Sequence, residues 1–307
     1  MPVYPLPKAT VDAVAALPVS KFSNLGLYMD RFTSVHTADD EEVRKRKKDE
    51  YELTDDAKKY KDAPLDYFSE GEGAKLLAAC AERHKKLLEE AHASRGEAGP
   101  QSRCIVGLGD RGAREVGIRL DHLYGFPLIP GSSLKGVARM RGLVAVFDRI
   151  ASRIVAEHGR GLLEQLEHDI EGYDPAAKNH KTYLDNQPLV ESFRRCFGTQ
   201  GEAGAAIFFD ALPSKVVLEL DIMNPHYPEY YSAQGKNKPP ADYQSPIPIY
   251  FLAVGKESRF RFGVAARKGD TTSRDQAWKW LCGGLTDLGV GAKTTSGYGL
   301  FTKMNEA

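Results

Sequence analysis

The sequence has few cysteines, and none of them is placed to bind a metal or form a disulfide framework. The four are Cys80, Cys104, Cys196 and Cys282, far apart and without a Cys-x-x-Cys pair. Zinc sites and small disulfide-linked domains both need cysteines at short, regular spacings. The sequence therefore predicts four reduced thiols, most of them buried, and no metal or other cofactor.

Long apolar runs and an excess of one charge are also absent. No segment approaches the roughly twenty apolar residues of a membrane-spanning helix. The start, MPVY, lacks the basic and apolar pattern of a signal peptide. We therefore expect a cytoplasmic protein that does not contact a membrane. Lysine plus arginine equals aspartate plus glutamate at 42 each, so any nucleic-acid binding must depend on local clusters of basic residues.

The most informative segment that is present is PLIPGSSLKGVAR, at residues 127–139. Pro130 and Gly131 prevent a helix before them, and Ser132 or Ser133 can cap a helix that follows. The free N–H groups at the start of a helix attract anions. This segment therefore predicts a helix start that binds phosphate.

Two basic side chains follow on one face of this helix, which we predict over residues 133–158. Lys135 and Arg139 are spaced i and i+4, so they lie on the same face. The opposite face is an apolar stripe of Leu134, Val137, Val144, Phe147, Ile150 and Ile154. One face can pack while the other binds an oligoanion. Alternatively, Arg139 is a partly buried residue that anchors the helix.

A second glycine-rich segment, LGVGAKTTSGYG, occupies residues 288–299. It lacks the G-x-x-x-x-G-K-[ST] spacing of a nucleotide-binding loop and follows a predicted helix rather than a strand, so nucleotide hydrolysis is not expected. Its glycines allow the backbone to approach a ligand or a helix closely.

The order of predicted elements indicates an α+β fold. Strands are predicted at residues 104–108, 206–211, 216–222, 247–254, 259–265 and 298–303, and a second long helix at 272–287. Strand, helix, several antiparallel strands, helix and strand is the ferredoxin-like order, with two helices on an antiparallel sheet. A helical insertion is expected at about residues 159–199.

The first hundred residues predict a separate helical region. Helical segments are expected near residues 11–17, 22–32, 39–62 and 73–92, followed by a linker at 94–100. We therefore expect two parts, a helical region at residues 1–100 and a ferredoxin-like domain at 101–307. The basic run at residues 44–48 is either a solvated helix face or a contact to RNA or another protein.

Residues 127–139 resemble the hallmark segment of the RAMP superfamily, RNA-binding proteins of CRISPR effector complexes. The glycine-rich segment at 288–299 stands where those proteins have a C-terminal glycine loop. Residues 24–31 and 278–284 are most similar to the sixth subunit of the type III-B, or Cmr, complex. The resemblance implies a RAMP, or RRM-like, version of the ferredoxin-like fold and a part in antiviral defense.

The resemblance also implies a function and partners. It implies a non-catalytic structural subunit that binds guide (CRISPR) RNA toward its 3′ end and caps the filament of backbone subunits. The implied partners are guide RNA, target RNA, the backbone fourth subunit, the small helical fifth subunit and the first subunit. Lys293 of the glycine loop is implied as a phosphate contact, and a tight turn before the last strand is the alternative.

A long connection at residues 224–244 is rich in proline, tyrosine and lysine. Connections of this length are usually functional or mobile. Bases stack on aromatic rings while ammonium groups meet phosphates, so this composition suits single-stranded RNA. The resemblance implies a thumb-like hairpin between nucleotides, and the alternative is a loop that packs on another subunit. Its candidate RNA contacts are Tyr227, Tyr230, Tyr231, Lys236 and Lys238.

No arrangement of histidines or carboxylates in the sequence requires catalysis. His122 could contact RNA, act as a general base or be a structural residue. A rival hypothesis is a metal-independent endoribonuclease that processes precursor guide RNA, with His122 as the base and Lys135 stabilising the phosphate. Asp110 lies where cleaving backbone subunits of the superfamily place an aspartate, but the sixth-subunit family implies no cleavage. A third hypothesis is an interaction protein that never touches RNA.

Overall fold

The computed structural model describes residues 9–10, 21, 24–31, 65–109, 117–158, 162–174, 181–185, 187–227, 230, 239–240, 246 and 248–306. The chain divides into two compact units. The first comprises residues 1–79, 105–127 and 215–258, and the second comprises 80–104, 128–214 and 259–307.

The described residues form both helices and strands. The α-helices are α1 (Leu25–Arg31), α2 (Gly71–Glu90), α3 (Gly131–His158), α4 (Leu162–Glu171), α5 (Pro188–Phe197) and α6 (Thr271–Asp287). The strands are β1 (Ser94–Ala98), β2 (Ala206–Phe208), β3 (Leu212–Lys215), β4 (Leu218–Met223), β5 (Ile249–Val254), β6 (Arg259–Ala266) and β7 (Asn305–Glu306). Short 3-10 turns lie at Thr182–Leu184, Arg267–Gly269 and Thr294–Ser296.

An antiparallel sheet in the order β2–β6–β1–β7 forms the centre of the second unit, and β3 also pairs with β6. Along the chain, α3 lies between β1 and β2, and α6 lies between β6 and β7. Each helix therefore joins two strands that have a third strand between them. This is the split β-α-β pattern of a ferredoxin-like fold, and the predicted fold class is confirmed.

One face of this sheet packs against α6. Phe260, Phe262 and Val264 alternate along β6 and are buried. The ring of Phe301 meets the ring of Phe262 edge-on, with 5.4 Å between centroids. The Phe301 N–H donates to the Leu285 carbonyl of α6 (2.9 Å), so the chain after the glycine loop is tied to both the helix and the sheet.

The opposite face of the sheet is covered by the second half of α2. Gly263 of β6 lies directly under Leu88, where an added Cβ would be 2.4 Å from the leucine side chain. Arg261 donates to the Ala81 carbonyl of α2 (2.7 Å). Because a helix covers this face, it does not offer an open platform for stacking bases.

The helices α3 and α6 pack side by side and run in opposite directions. Near the start of α3, Val137 contacts Gly284 near the end of α6, where an added Cβ would be 2.7 Å from the valine Cγ1. Farther along α3, Arg149 lines the same surface cavity as Gln276 near the start of α6. The start of α3 therefore lies at the end of the pair where α6 stops.

The predicted helical insertion is confirmed as α4, a 3-10 turn and α5. α5 packs through Val190, Phe193, Cys196 and Phe197, whereas Leu189 is only half-buried. In α3, Leu134 and Ile150 of the predicted apolar stripe are fully buried. Val137, Val144 and Phe147 are half-buried, and the side chain of Ile154 lies outside the described residues.

Three predicted boundaries were wrong. Residues 94–98, expected in a linker, form β1, whose sequence SRGEA has no apolar run. Gly96 has little spare room, because an added Cβ would be 3.0 Å from the Asn305 carbonyl oxygen and 3.2 Å from the Trp278 ring. The apolar run at 104–108 is not a strand, although Cys104 and Ile105 are buried. The last strand lies at Asn305–Glu306 rather than 298–303, where Phe301 forms only a single bridge with Pro100.

In the first unit, β4 and β5 form a two-stranded antiparallel ladder. Their pairing runs from Leu218 opposite Val254 to Met223 opposite Ile249. The long connection after residue 223 therefore leaves and re-enters at the same end of this ladder. The existence of a separate helical region at residues 1–100 stays a prediction, because residues 39–62, with the basic run at 44–48, lie outside the described residues.

No helix of the described residues is both long and apolar enough to cross a membrane.

His84 of α2 makes folding sensitive to pH. It is 6% exposed, and burial, together with the positive charge of Arg261, lowers its pKa to about 4, against the opposing effect of Asp210. The unfolded pKa is about 6.5, so the unfolded state binds the extra proton between these values. This stabilisation is present above about pH 6.5 and is lost as the pH falls toward about 4.

We expect His84 alone to lower the free energy of unfolding by about 2 kcal/mol between about pH 8 and about pH 5. The His84→Leu variant has no side chain at position 84 that titrates in this pH interval. Its free energy of unfolding should therefore fall by about 2 kcal/mol less than that of the unchanged protein between about pH 8 and about pH 5. Urea unfolding of both proteins at the two pH values measures the difference. Equal losses in the two proteins would contradict the prediction.

Candidate functional site

The first turn of α3 is held by backbone acceptors and a carboxylate. The Gly131 N–H donates to Asp210 Oδ1 (2.6 Å). The N–H groups of Ser133 and Leu134 donate to the Pro130 carbonyl (2.9 and 3.1 Å). The helix therefore begins two residues earlier than predicted, and Ser132 and Ser133 lie inside it. The prediction that one of these serines is the cap was wrong.

Asp210 reaches this helix start from an interruption in the edge of the sheet. Residues 209–211 separate β2 from β3, and Ala211 exchanges two backbone hydrogen bonds with Ile129 (2.8 and 3.1 Å). Gly131 lies so close to the edge that an added Cβ would be 2.3 Å from the Phe208 carbonyl oxygen. Because an internal carboxylate already accepts the Gly131 N–H, a phosphate would compete with Asp210 at this point.

Arg139 contacts carboxylates of α4. Its guanidinium donates to Glu167 and to Glu171 Oε1, the latter at 2.8 Å. It also lies over the Phe193 ring, 5.3 Å from the centroid, and its side chain is 24% exposed. These contacts are those of the helix-anchoring alternative for Arg139. A guanidinium that is paired twice and largely buried is a poor phosphate ligand compared with an exposed ammonium.

The glycine-rich segment is a loop closed by backbone hydrogen bonds. The Val290 N–H donates to the Gly299 carbonyl (2.9 Å), and the Gly299 N–H donates to the Arg103 carbonyl (2.7 Å). Gly289 and Gly299 have φ angles of 77° and 69°, and a Cβ on Gly299 would be 2.0 Å from the Val290 carbonyl oxygen. These glycines are required by the turn itself, as the tight-turn alternative expected.

Lys293 lies in this loop, half-buried and in a left-handed conformation, with φ 60°. Its Nζ is 6.0 Å from the centroid of the Tyr298 ring. Because α3 and α6 are antiparallel, the glycine loop that follows α6 lies at the same end of the helix pair as the first turns of α3. Lys135 is exposed in those turns. The structure thus brings Lys135 and Lys293 to one end of the second unit.

His122 belongs to a turn in the first unit, which is tied to the segment before α1. Asn24 donates to the His122 carbonyl (2.9 Å) and accepts the Leu27 N–H (2.8 Å). Gly125, with φ 72°, fits against this segment because a Cβ there would be 2.4 Å from the Leu25 nitrogen. The His122 side chain is exposed. The similarity of residues 24–31 to a known family therefore has a structural counterpart, namely their contact with this turn.

The structure describes only part of the connection at residues 224–244. Tyr227 and Tyr230 are half-buried, and the Tyr227 ring lies 6.3 Å from that of His226. Tyr231, Lys236 and Lys238 lie outside the described residues, as does Asp110. Their proposed contacts therefore stay predictions.

The described residues hold no group of three or more His, Cys, Asp or Glu side chains that could bind a metal ion. Cys80, Cys104 and Cys196 are buried, in agreement with the prediction that most of the thiols are buried, and Cys282 is half-buried. Burial raises the pKa of Cys104 to about 12 and that of Cys196 to about 11. Both thiols therefore stay protonated near neutral pH.

Residues 33–302 match the family model of the RAMP superfamily. The chain belongs to this superfamily. A relative, the CRISPR system Cmr subunit Cmr6 of Pyrococcus furiosus, is 37% identical over 235 residues, which cover 69% of this chain and 68% of the relative. Two predicted resemblances are confirmed: that to RAMP proteins, from the motifs at 127–139 and 288–299, and that to the sixth Cmr subunit, from residues 24–31 and 278–284.

Two solved structures are similar to this RAMP chain. The crystal structure of Cmr6 from Pyrococcus furiosus has 36% sequence identity and a TM-score of 0.42, covering 69% of this chain and 98% of that chain. A cryo-EM structure of the type III-B Cmr-beta bound to cognate target RNA has 19% identity and a TM-score of 0.47, covering 75% of this chain and 66% of that chain. Because both TM-scores are below 0.5, the family assignment depends on the sequence matches.

Replacing Asp210 with alanine should lower the free energy of unfolding by about 1 kcal/mol, because the Gly131 N–H loses its acceptor. Ser132→Ala is the matched control. It should change stability by less than about 0.5 kcal/mol, because Ser132 is exposed and does not cap the helix. Urea unfolding of the two variants measures both values. A larger loss of stability for Ser132→Ala than for Asp210→Ala would show that Ser132 caps the helix.

Two glycines of the loop provide a matched test of the close backbone approach. Gly297 and Gly299 both have positive φ, but an added Cβ meets nothing within 4 Å at Gly297 and a carbonyl oxygen at 2.0 Å at Gly299. Gly297→Ala should cost about 1 kcal/mol and Gly299→Ala about 3 kcal/mol or more. Chemical denaturation measures both, and equal costs would show that the loop can relax.

Proposed function

We propose that this chain is a non-catalytic, RNA-binding structural subunit of a type III-B CRISPR complex, which binds guide RNA toward its 3′ end and caps the backbone filament. The observation that carries the proposal is the relative named Cmr6, which is 37% identical over most of this chain. The proposed location is the cytoplasm, and the proposed ligands are guide RNA and, across from it, target RNA.

The proposed phosphate contacts are the two lysines at one end of the α3–α6 pair. Lys135 is exposed in the second turn of α3, and Lys293 is presented by a loop whose backbone is closed by hydrogen bonds. Asp210 occupies the Gly131 N–H, and Arg139 is paired with two glutamates. The ammonium groups therefore suit a phosphate better than the helix start itself. Ser132 and Ser133 can add hydroxyl contacts beside Lys135.

The connection at residues 224–244 is proposed to lie between guide and target nucleotides. It extends from one end of the β4–β5 ladder, because the last paired residues, Met223 and Ile249, stand opposite each other. A segment supported in this way can project from the protein as a hairpin does. Its tyrosines would stack on bases and its lysines would meet phosphates. His122, exposed on its turn, is a further proposed RNA contact.

The proposed protein partners are the backbone fourth subunit, the small helical fifth subunit and the first subunit of the complex. Support for a protein neighbour comes from the turn that Asn24 holds in place. Leu123 at its tip is 72% exposed, although the Asp121 carboxylate accepts the N–H groups of Leu123 and Tyr124 (2.9 and 2.7 Å) and so fixes the turn. We propose this exposed leucine, held out by a fixed turn, as one point of contact with a neighbouring subunit.

Replacing Lys135 with alanine and Lys293 with glycine should weaken the binding of labelled guide RNA by the full chain. Glycine is chosen at position 293 because it adopts the left-handed backbone without strain. Loss of two phosphate contacts should reduce the slope of log affinity against log salt by about 1.4. A filter-binding or anisotropy titration across a salt series measures this slope.

The matched control is Lys85→Ala with Lys86→Ala, which removes two charges from the exposed side of α2 and should leave the slope unchanged. A slope that is the same in all three proteins would contradict the proposed contacts. Incubation with labelled repeat RNA tests the non-catalytic role. Cleavage that is lost in His122→Ala would instead establish the endoribonuclease.

A further inference from the structure

We propose a second phosphate-binding site at the other end of α6, on the turn Arg267–Gly269 that joins β6 to α6. Its ligand is the phosphodiester backbone of single-stranded RNA. The inference deepens the proposed function and depends on it, because the strand that contacts Lys135 and Lys293 at one end of the second unit would continue to this turn.

Three cationic side chains surround an open cavity of about 630 Å³ beside this turn. They are Arg195 of α5 and the adjacent Arg267 and Lys268. Both residues of the turn are exposed, and Arg195 has a side chain that is 62% exposed. Among the residues that the structure describes, neither Arg267 nor Lys268 forms an ion pair. The site therefore has cations available for a phosphate without breaking an existing pair.

Asp270 is the one carboxylate among the described residues that line the cavity, and its oxygens already accept several hydrogen bonds. It accepts the Ser273 N–H (3.2 Å), the Ser273 hydroxyl (2.7 Å) and the Arg195 Nε–H (2.6 Å). Asp270 thus caps α6 and orients Arg195 toward the cavity. With one acid against three bases, the cavity keeps a positive charge.

The backbone of the turn places Arg267 and Lys268 in fixed positions. The Arg267 N–H donates to the Ala205 carbonyl (2.9 Å), and the Asp270 N–H donates to the Arg267 carbonyl (3.2 Å). Lys268 is left-handed, with φ 54°, a conformation that costs a residue with a side chain about 1–2 kcal/mol. Glycine or asparagine would fit this position with less strain, so a lysine here is better explained by the use of its charge.

The surroundings confine an anion to one side of Arg195. An adjoining cavity shares Arg195 and is also lined by Arg194 and by three acidic residues, Asp174, Glu191 and Glu202, so that its acids outnumber its bases. A polyanion is repelled there and attracted toward Arg267 and Lys268. An RNA strand can follow α6 on the side of Arg267 and Lys268, away from these acidic residues.

The length of α6 sets the distance that a common ligand of the two proposed basic sites would span. A helix of 17 residues is about 25 Å long at 1.5 Å per residue. The proposed contacts at Lys135 and Lys293 stand at one end of this helix, and the Arg267–Gly269 turn stands at the other. A single flexible polyanion can contact both ends, which gives the two basic sites one common ligand.

The test is a salt titration of full-length protein with labelled single-stranded oligouridine RNA. The variant is Arg267→Ala with Lys268→Gly, since glycine removes the charge and relieves the left-handed strain. We expect the slope of log affinity against log salt to fall by about 1.4, as two phosphate contacts are lost. Lys268→Arg, which keeps the charge, should retain the wild-type slope. Thermal unfolding of the double variant should show no loss of stability.

The outcomes separate this site from the proposed function. A normal slope in the Arg267–Lys268 variant, with a reduced slope in the Lys135–Lys293 variant, overturns the second site alone. A reduced slope in the Arg267–Lys268 variant, with a normal slope in the Lys135–Lys293 variant, supports the second site and contradicts the first. Normal RNA binding with loss of co-purification with the other complex subunits overturns the RNA ligand and assigns the turn to a protein partner. An equal reduction of the slope in the Lys85→Ala, Lys86→Ala control would show that RNA binding depends only on the total charge. This result would also overturn the second site.

Discussion

The contact between Gly131 and the edge of the sheet is the constraint on which the second unit depends. It allows the backbone of α3 to begin against the Phe208 carbonyl, where any side chain would collide. It also brings the Gly131 N–H to Asp210. The long helix that follows then starts at a defined point, packs antiparallel to α6 and shares its end with the glycine loop. The position of Lys135 follows from this start.

Carboxylates at the helix ends decide which cations remain for a ligand. Asp210 occupies the start of α3, Asp270 occupies the start of α6, and two glutamates of α4 hold Arg139. The positive ends of the helices are therefore neutralised within the protein. A chain with no net charge can still bind a polyanion under these conditions, because the exposed side chains of Lys135, Arg267 and Lys268 lie near the two ends of the helix pair.

Much of the fold could be predicted from periodicity and motifs. The alternation around Phe260 and Phe262 predicted β6, and the stripe around Leu134 predicted α3, since burial on one face imposes a regular spacing. β1 was missed because SRGEA is not apolar; its place depends on the room beneath Trp278. The role of Asp210 had no local signal, because the residue that it caps lies 79 positions earlier in the chain.

The sequence by itself determined the superfamily, the order of elements and the two motifs, because these depend on residue types at fixed spacing along the chain. It also determined that Arg139 lies on the basic side of α3. Only the tertiary structure decided what Arg139 does there, since Glu167 and Glu171 reach it from another helix. The same holds for Arg195, Arg267 and Lys268, which are a cluster only after α5 and the β6–α6 turn are folded together. Contacts between distant segments are set by packing, which no local pattern specifies.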